Sequence, residues 1–271
     1  MLNGSAAEAA KIAWLDGAPR IWAVASVHGE AEQLRRLHDR IADRIAEGDR
    51  IVYLGNYVGH GAAIVETIDE LLDFRCRLLA RPGGFACDIA YLRGAQEEMW
   101  QKLLQLQFAA NPGQVLAWMV REGVEATIAA YGGDLQQGFA ATRDGPRTIT
   151  RWTTGLRNAM NTLPGHTKLF AGLRHAALTG EGGLLFVHAG IDPARPLATQ
   201  GDAFWWGGRD ILDLARPFEG FRRVIRGFDR QRRGFVECPF AISLDAGAGR
   251  GGPLLGAAIM PDGEVQEVLQ A

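Results

Sequence analysis

Residues 50–61, RIVYLGNYVGHG, decide the fold. RIVYL is a short apolar run that ends in a Gly-rich loop, as a buried parallel strand does where it opens into a ligand-binding turn. That loop carries no acidic side chain, although α/β enzymes keep their chemistry at such strand ends. The flanking sequence repeats the pattern. IWAVAS (21–26) reads as a strand, followed by the loop VHGE and a segment that sets Leu34, Leu37, Ile41 and Ile45 at helical spacing. After GNYVGHG, residues 63–80 form a helix with Ile64, Ile68, Leu71 and Leu72 on one face. IAYL (89–92), the loop RGAQ and a helix from Glu97 make a third unit. Three such units in succession predict parallel strands whose loops gather at their C-terminal ends.

Residues 111–180 read as a helical, loop-rich insertion broken by NPGQ, YGGD and LPGHT. In the last third LLFVHAG, RRVIRGF, FAISLDAG and LLGAAIM are short strands between Gly-rich turns, and PDGE leads into a final strand VQEVL. These predict a second sheet packed on the first. The organisation expected is an N-terminal extension over 1–20 and a single α/β domain over 21–271.

The chain has 271 residues, 47% of them hydrophobic, and a formal charge of −2, which suits one large core and points to no strongly charged partner. No apolar run reaches the roughly 18 residues of a membrane span. The N-terminus MLNGSAAEAAKIAW lacks the basic start and apolar block of a signal peptide, so a cytoplasmic location is expected. Cys76, Cys87 and Cys238 are odd in number and lack C-x-x-C spacing, which argues against disulfides and structural zinc and for buried thiols.

Read in order, the loops are ASVHGE, LGNYVGHG, LRGAQEE, FVHAGIDP and IRGFDR, followed by ISLDAG. In that order they resemble the calcineurin-like metallophosphoesterase and serine/threonine phosphatase superfamily, especially its bacterial diadenosine tetraphosphatase branch. That family's loops read GD-x-HG, GD-x-VDRG, GNHE, HAG and GH, and the resemblance runs from about Ile21 to Val268. It implies a sandwich of two mixed β-sheets flanked by helices. It also implies two divalent ions about 3.5–4 Å apart that activate a water and clamp phosphoryl oxygens.

Mapped residue by residue, the resemblance leaves most of that site unfilled. The first Asp falls on Ser26 and its partner histidine on His28. The bridging Asp falls on Asn56, the GNHE asparagine on Ala95 and the GH histidine on Phe228; the HAG histidine is His188. The protonating histidine falls on Gln96, which has no titratable proton for a leaving group. The phosphate-gripping arginine falls on His60 and the Asp before it on Gly59. Arg93, Glu97 and Asp245 are kept, as scaffold positions. Two unit charges 4 Å apart at an effective dielectric near 20 interact by about 4 kcal/mol, and two dications repel by about four times that. Without the bridging carboxylate that offsets this repulsion, no dinuclear centre is expected. No cofactor is expected, unless a single manganese, iron or zinc ion rests on His28 and His188, an incomplete shell.

The other conspicuous residues have structural readings. His28 and His188 read as hydrogen-bonded core histidines in preference to live ligands, and His60 as a solvated loop histidine in preference to a phosphate contact. GHT (165–167) precedes HAG and is a decoy for the GH loop. Trp205 and Trp206 read as packing, with Arg209 beside them as an anion contact. The run FRRVIRGFDRQRR reads as a basic edge balanced by nearby acids, and nucleic acid is not the expected partner because interleaved aromatics are lacking. The resulting expectation is a pseudophosphatase acting by binding, its partner a protein or a phosphorylated ligand. The alternative is a phosphoric-ester hydrolase, of the serine/threonine phosphatase or dinucleoside polyphosphatase type, working through His28, His60, His188 and Arg93.

Overall fold

Ile21–Val24 (β2) and Arg50–Tyr53 (β3) are the apolar runs expected, and every residue of them except Arg50 is buried. A strand that is apolar on both faces needs cover on both. In the structure, a computed structural model that describes residues 11–180 and 183–271, the two pair in parallel, and Ile89–Tyr91 (β4) joins β3 in the same direction. Leu255–Ile259 (β10) runs antiparallel beside β2, and Val265–Gln270 (β11) completes a sheet of order β11-β10-β2-β3-β4.

The helices between these strands follow their apolar spacing. Ala31–Ala42 (α1) buries Leu34, Leu37, His38 and Ile41, while Ile45 lies past the helix end yet stays buried. Ile64–Leu79 (α2) buries Ile64, Ile68, Leu71 and Phe74 and packs against α1. The third helix, Ala95–Leu103 (α3), begins two residues before the expected Glu97. Gly94 is its N-cap, and the Glu97 carboxylate at the third helical position reaches back to the Gly94 N–H, an arrangement that stabilises a helix start.

The second sheet has the order β1-β5-β6-β7-β9-β8, from Ile12–Trp14 (β1), Ala176–Leu178 (β5), Leu184–Val187 (β6), Arg223–Arg226 (β7), Val236–Cys238 (β8) and Ala241–Ser243 (β9). Side chains alternate across it as the pleat requires. Leu184, Phe186, Ile225 and Ile242 join the core shared with the first sheet; Leu185, Val187, Val224 and Ala241 face a smaller cluster under Leu197, Phe204, Trp205 and Ile211. The architecture is thus the expected α/β sandwich of two mixed sheets. Strands β1, β5 and β8 are additions to the expected set, fixed by pairing with their neighbours in the sheet. Of the expected N-terminal extension, residues 1–10 lie outside the described residues, and Ile12–Trp14 pairs in parallel with β5.

Helices Pro112–Arg121, Val124–Ala130, Leu135–Asp144, Pro146–Thr162 and His166–Ala171 fill the expected insertion. Proline opens the first and fourth of these, and the Asp134 side chain caps the third by accepting the Gln137 N–H at 2.8 Å. The cysteines correct the expectation of buried thiols: Cys76 and Cys87 are exposed and Cys238 half-buried. Cys76 sits on the outward face of α2, away from the stripe that buries Phe74 and Leu78. Among the described residues no helix is long and apolar enough to cross a membrane.

The α1 seam is testable. Leu34 is fully buried, so Leu34→Ala is expected to lower unfolding stability by about 2–5 kcal/mol, read as a shifted denaturant midpoint with an unchanged slope.

Candidate functional site

The chain leaves β3 at Leu54 and turns through Gly55 (φ 92°) and Asn56 (φ 54°), left-handed conformations that glycine adopts freely and asparagine tolerates. The Asn56 carbonyl accepts the N–H groups of Val27 (3.0 Å) and His28 (2.7 Å), and Tyr57 O accepts Gly29 N–H at 2.9 Å. Backbone alone thus stitches the first loop to the second. The third loop is attached by a side chain. The buried Glu97 carboxylate accepts four backbone N–H groups, from Tyr57 (2.7 Å), Gly94 (2.8 Å), Asn56 (2.9 Å) and Val58 (3.3 Å). Burial raises its pKa, and the four amides oppose that rise by favouring the charged form. The loops approach so closely that a Cβ on Gly94 would stand 2.3 Å from the Asn56 amide nitrogen.

The second sheet is joined at His188. Its Nδ1–H donates to Leu54 O at 2.7 Å, and its own carbonyl accepts Gly227 N–H (3.1 Å) and Phe228 N–H (3.0 Å). The N–H of Ser26 closes the circuit on Gly227 O at 2.9 Å. Since a carbonyl can only accept, Nδ1 must hold the proton, and Nε2 is a lone pair. That lone pair is buried without a partner, and the Phe228 ring stacks on the imidazole with centroids 5.3 Å apart. Burial holds the His188 pKa down at about 4.

Around this junction opens a cleft of about 200 Å³. His28, Asn56 and Gln96 border it from the first-sheet loops, Phe228 and Asp245 from the second sheet, and Glu122 from the insertion. The Asn56 carboxamide is used within the chain: Oδ1 accepts Gln96 N–H at 2.9 Å, and Nδ2 lies 3.3 Å from His28 Nε2. Burial, and then the nearby His60, His188 and Arg250, depress the His28 pKa well below its ordinary value. The Gln96 side chain donates to Glu122 O at 2.6 Å, so the insertion helps hold the third loop.

The structure brings together Ser26, His28, Asn56, Ala95, Gln96, His188 and Phe228, the positions singled out in the sequence. It corrects the reading of His60, which is half-buried and not a solvated loop residue. Arg250 donates to its Nε2 at 2.7 Å, its ring lies 5.0 Å from that of His28, and burial followed by Arg250 and Arg232 lowers its pKa to about 4. Trp205 and Trp206 border the cleft as well as pack. Arg93 does not border it; its guanidinium is bound to Glu98 at 3.1 Å and to Gln101. Arg209 is exposed beside a neighbouring depression with Asp210 and Arg226. His166, in GHT, is engaged far from the cleft with Tyr131 and Asp69.

The basic run is balanced only in part. Arg226 and Arg233 both engage Asp210 and Asp229, and Arg223 engages Glu237. What the sequence reading missed is the cleft rim formed by Arg230, Arg232 and Arg250 with Met99. Arg232 and Arg250 lie in different loops, so no local spacing links them.

The donors present do not fit a pair of divalent ions. Ser26 Oγ and His188 Nε2 are buried without partners, and both are neutral. Glu97 is engaged by four amides, and Asp245 accepts Asp229 N–H and Gly247 N–H, each at 2.9 Å. Among the described residues no three His, Cys, Asp or Glu side chains are grouped to hold a metal.

The chain is similar to several solved phosphatases. A protein provisionally assigned as a diadenosine tetraphosphatase matches at 19% identity over 96% of this chain and 98% of that one, with a TM-score of 0.56. A serine/threonine phosphatase from Saccharomyces cerevisiae matches at 12% identity over 98% and 85%, with a TM-score of 0.53. A cold-active protein tyrosine phosphatase matches at 12% identity over 98% and 83%, with a TM-score of 0.51. No family model and no curated protein matches the sequence. The chain therefore has the calcineurin-like phosphoesterase fold that its loops resemble.

Two outcomes are expected from this geometry. Glu97→Ala leaves four buried N–H groups without an acceptor and is expected to cost at least about 3 kcal/mol, with Glu97→Gln costing less because one acceptor oxygen remains. Denaturant titration of both variants measures this. The second concerns pH. His188, depressed from 6.5 to about 4 by burial, takes its proton more readily when unfolded. Its contribution of about 3 kcal/mol is full above about pH 6.5 and lost as pH falls through about 4. His188→Gln is expected to show a shallower decline over that window.

Proposed function

We propose that this phosphoesterase-fold protein is a pseudophosphatase, acting by binding a protein or a phosphorylated ligand without hydrolysing it. The observation that carries this reading is the Asn56 side chain. It stands where the resembling family has its metal-bridging aspartate, and it spends its carboxamide inside the chain, on Gln96 N–H and toward His28 Nε2. A neutral amide held this way supplies no charge to offset repulsion between two dications. Gln96 adds to the argument: it stands at the general-acid position, has no proton to transfer, and is fixed to the Glu122 carbonyl.

A residual hydrolase built from His28, His60, His188 and Arg93 finds less support. Arg93 is tied to Glu98 and Gln101 away from the cleft, which leaves such a site without that arginine for the developing phosphoryl charge.

Assays with p-nitrophenyl phosphate, a phosphoserine peptide and diadenosine tetraphosphate in manganese buffer test the proposal. Rates equal to those of buffer, for the natural chain and for His188→Ala alike, are expected. Turnover that disappears in His188→Ala would contradict it.

A further inference from the structure

Three arginines, Arg230, Arg232 and Arg250, line the cleft together with three acids, Glu122, Asp229 and Asp245. A Cβ on Gly247 would stand 3.0 Å from Arg232 Cδ, so Arg232 lies against the loop that carries Arg250, and both arginines line the cleft. Like charges on such neighbouring segments repel. Arg250 donates to His60 at 2.7 Å, but at neutral pH that imidazole is uncharged and compensates nothing. No carboxylate forms an ion pair with Arg230, Arg232 or Arg250 among the described residues, in contrast to Arg223, Arg226 and Arg233 of the same stretch.

Two of the three acids bordering the cleft are engaged elsewhere. Asp229 is held by Arg226 and Arg233, and both oxygens of Asp245 receive backbone N–H groups. Arg250 does pull on the Asp245 carboxyl electrostatically, against the larger upward effect of burial. Glu122 borders the same cleft without a bond to either arginine. Trp206 and Phe228 line the same cleft. Trp206 is braced edge-on by Trp118 at 5.6 Å and Phe228 by His188, so both present fixed apolar walls.

We infer that the cleft binds an organic anion, its charged group held by Arg232 and Arg250 and its planar or apolar body lying on Trp206 and Phe228. Guanidinium groups recognise the oxygens of a carboxylate or a phosphate by paired hydrogen bonds, and the anion would relieve the repulsion between the two arginines. Burial of an apolar body against the rings adds affinity that a bare ion lacks. The site uses neither Arg93 nor a metal. It rests on the non-catalytic reading to the extent that the ligand leaves unchanged.

Calorimetric titration of the full chain at low salt with phenyl phosphate, benzoate, inorganic phosphate and benzyl alcohol tests this. At least one aromatic anion is expected to bind, and the tighter of the two identifies phosphate or carboxylate as the preferred group. Inorganic phosphate is expected to bind at least about tenfold more weakly, and benzyl alcohol not detectably. The Arg232→Gln/Arg250→Gln double variant, altered at two exposed side chains, is expected to weaken the aromatic anion by at least about tenfold, whereas Arg222→Gln leaves it unchanged. Trp206→Ala is expected to weaken the aromatic anion and not inorganic phosphate. Failure of both aromatic anions to bind, equal binding of benzyl alcohol, or affinity untouched in the double variant overturns the inference. Release of phenol from phenyl phosphate would instead overturn the non-catalytic reading, and arginine-dependent binding would survive it.

Discussion

Four backbone N–H groups converge on one buried carboxylate, that of Glu97, and the arrangement of the cleft depends on it. The group joins the start of α3 to the loop after β3 and so sets where Asn56, Tyr57 and Val58 stand against Gly94. A buried charge is costly unless it is fully hydrogen-bonded, and here the loop supplies the bonds in consecutive amides of Asn56, Tyr57 and Val58. The left-handed turn at Gly55 and Asn56 aims those amides, and the missing side chain at Gly94 lets the two loops touch. His188 plays the corresponding part between the sheets through Leu54, Gly227 and Phe228.

These supports are what an active phosphoesterase frame would need, yet the groups they present are neutral. Ser26, Asn56, Ala95, Gln96 and Phe228 bring no charge to the junction of the loops, and His28, His60 and His188 are each held in the uncharged form by burial. The arginines of the cleft, Arg230, Arg232 and Arg250, stand on its rim. On the reading proposed above, such a site recognises an anion through those arginines.

Much of the fold was legible in the sequence, because the β2, β3 and β4 units carry clean alternation between apolar runs and helical stripes. Ile12–Trp14, Ala176–Leu178 and Val236–Cys238 were not, since each is fixed by its neighbours in the sheet. Within the site, His28, Asn56, Gln96 and His188 were found through the ordered loops that contain them. His60 was misread as solvated because its partner Arg250 is distant in sequence. Arg93 was placed near the chemistry, whereas the proximity of Glu98 on the first turns of α3 decides where its guanidinium goes. The rim of Arg230, Arg232 and Arg250 is a tertiary feature that no local motif announces.

Calorimetric titration of manganese into the metal-stripped protein tests the central claim most directly. The account predicts no binding stronger than about millimolar, because neutral side chains occupy the positions where charged ligands would stand. Two manganese ions bound per chain, with affinity lost in both Asn56→Ala and His188→Ala, would contradict it.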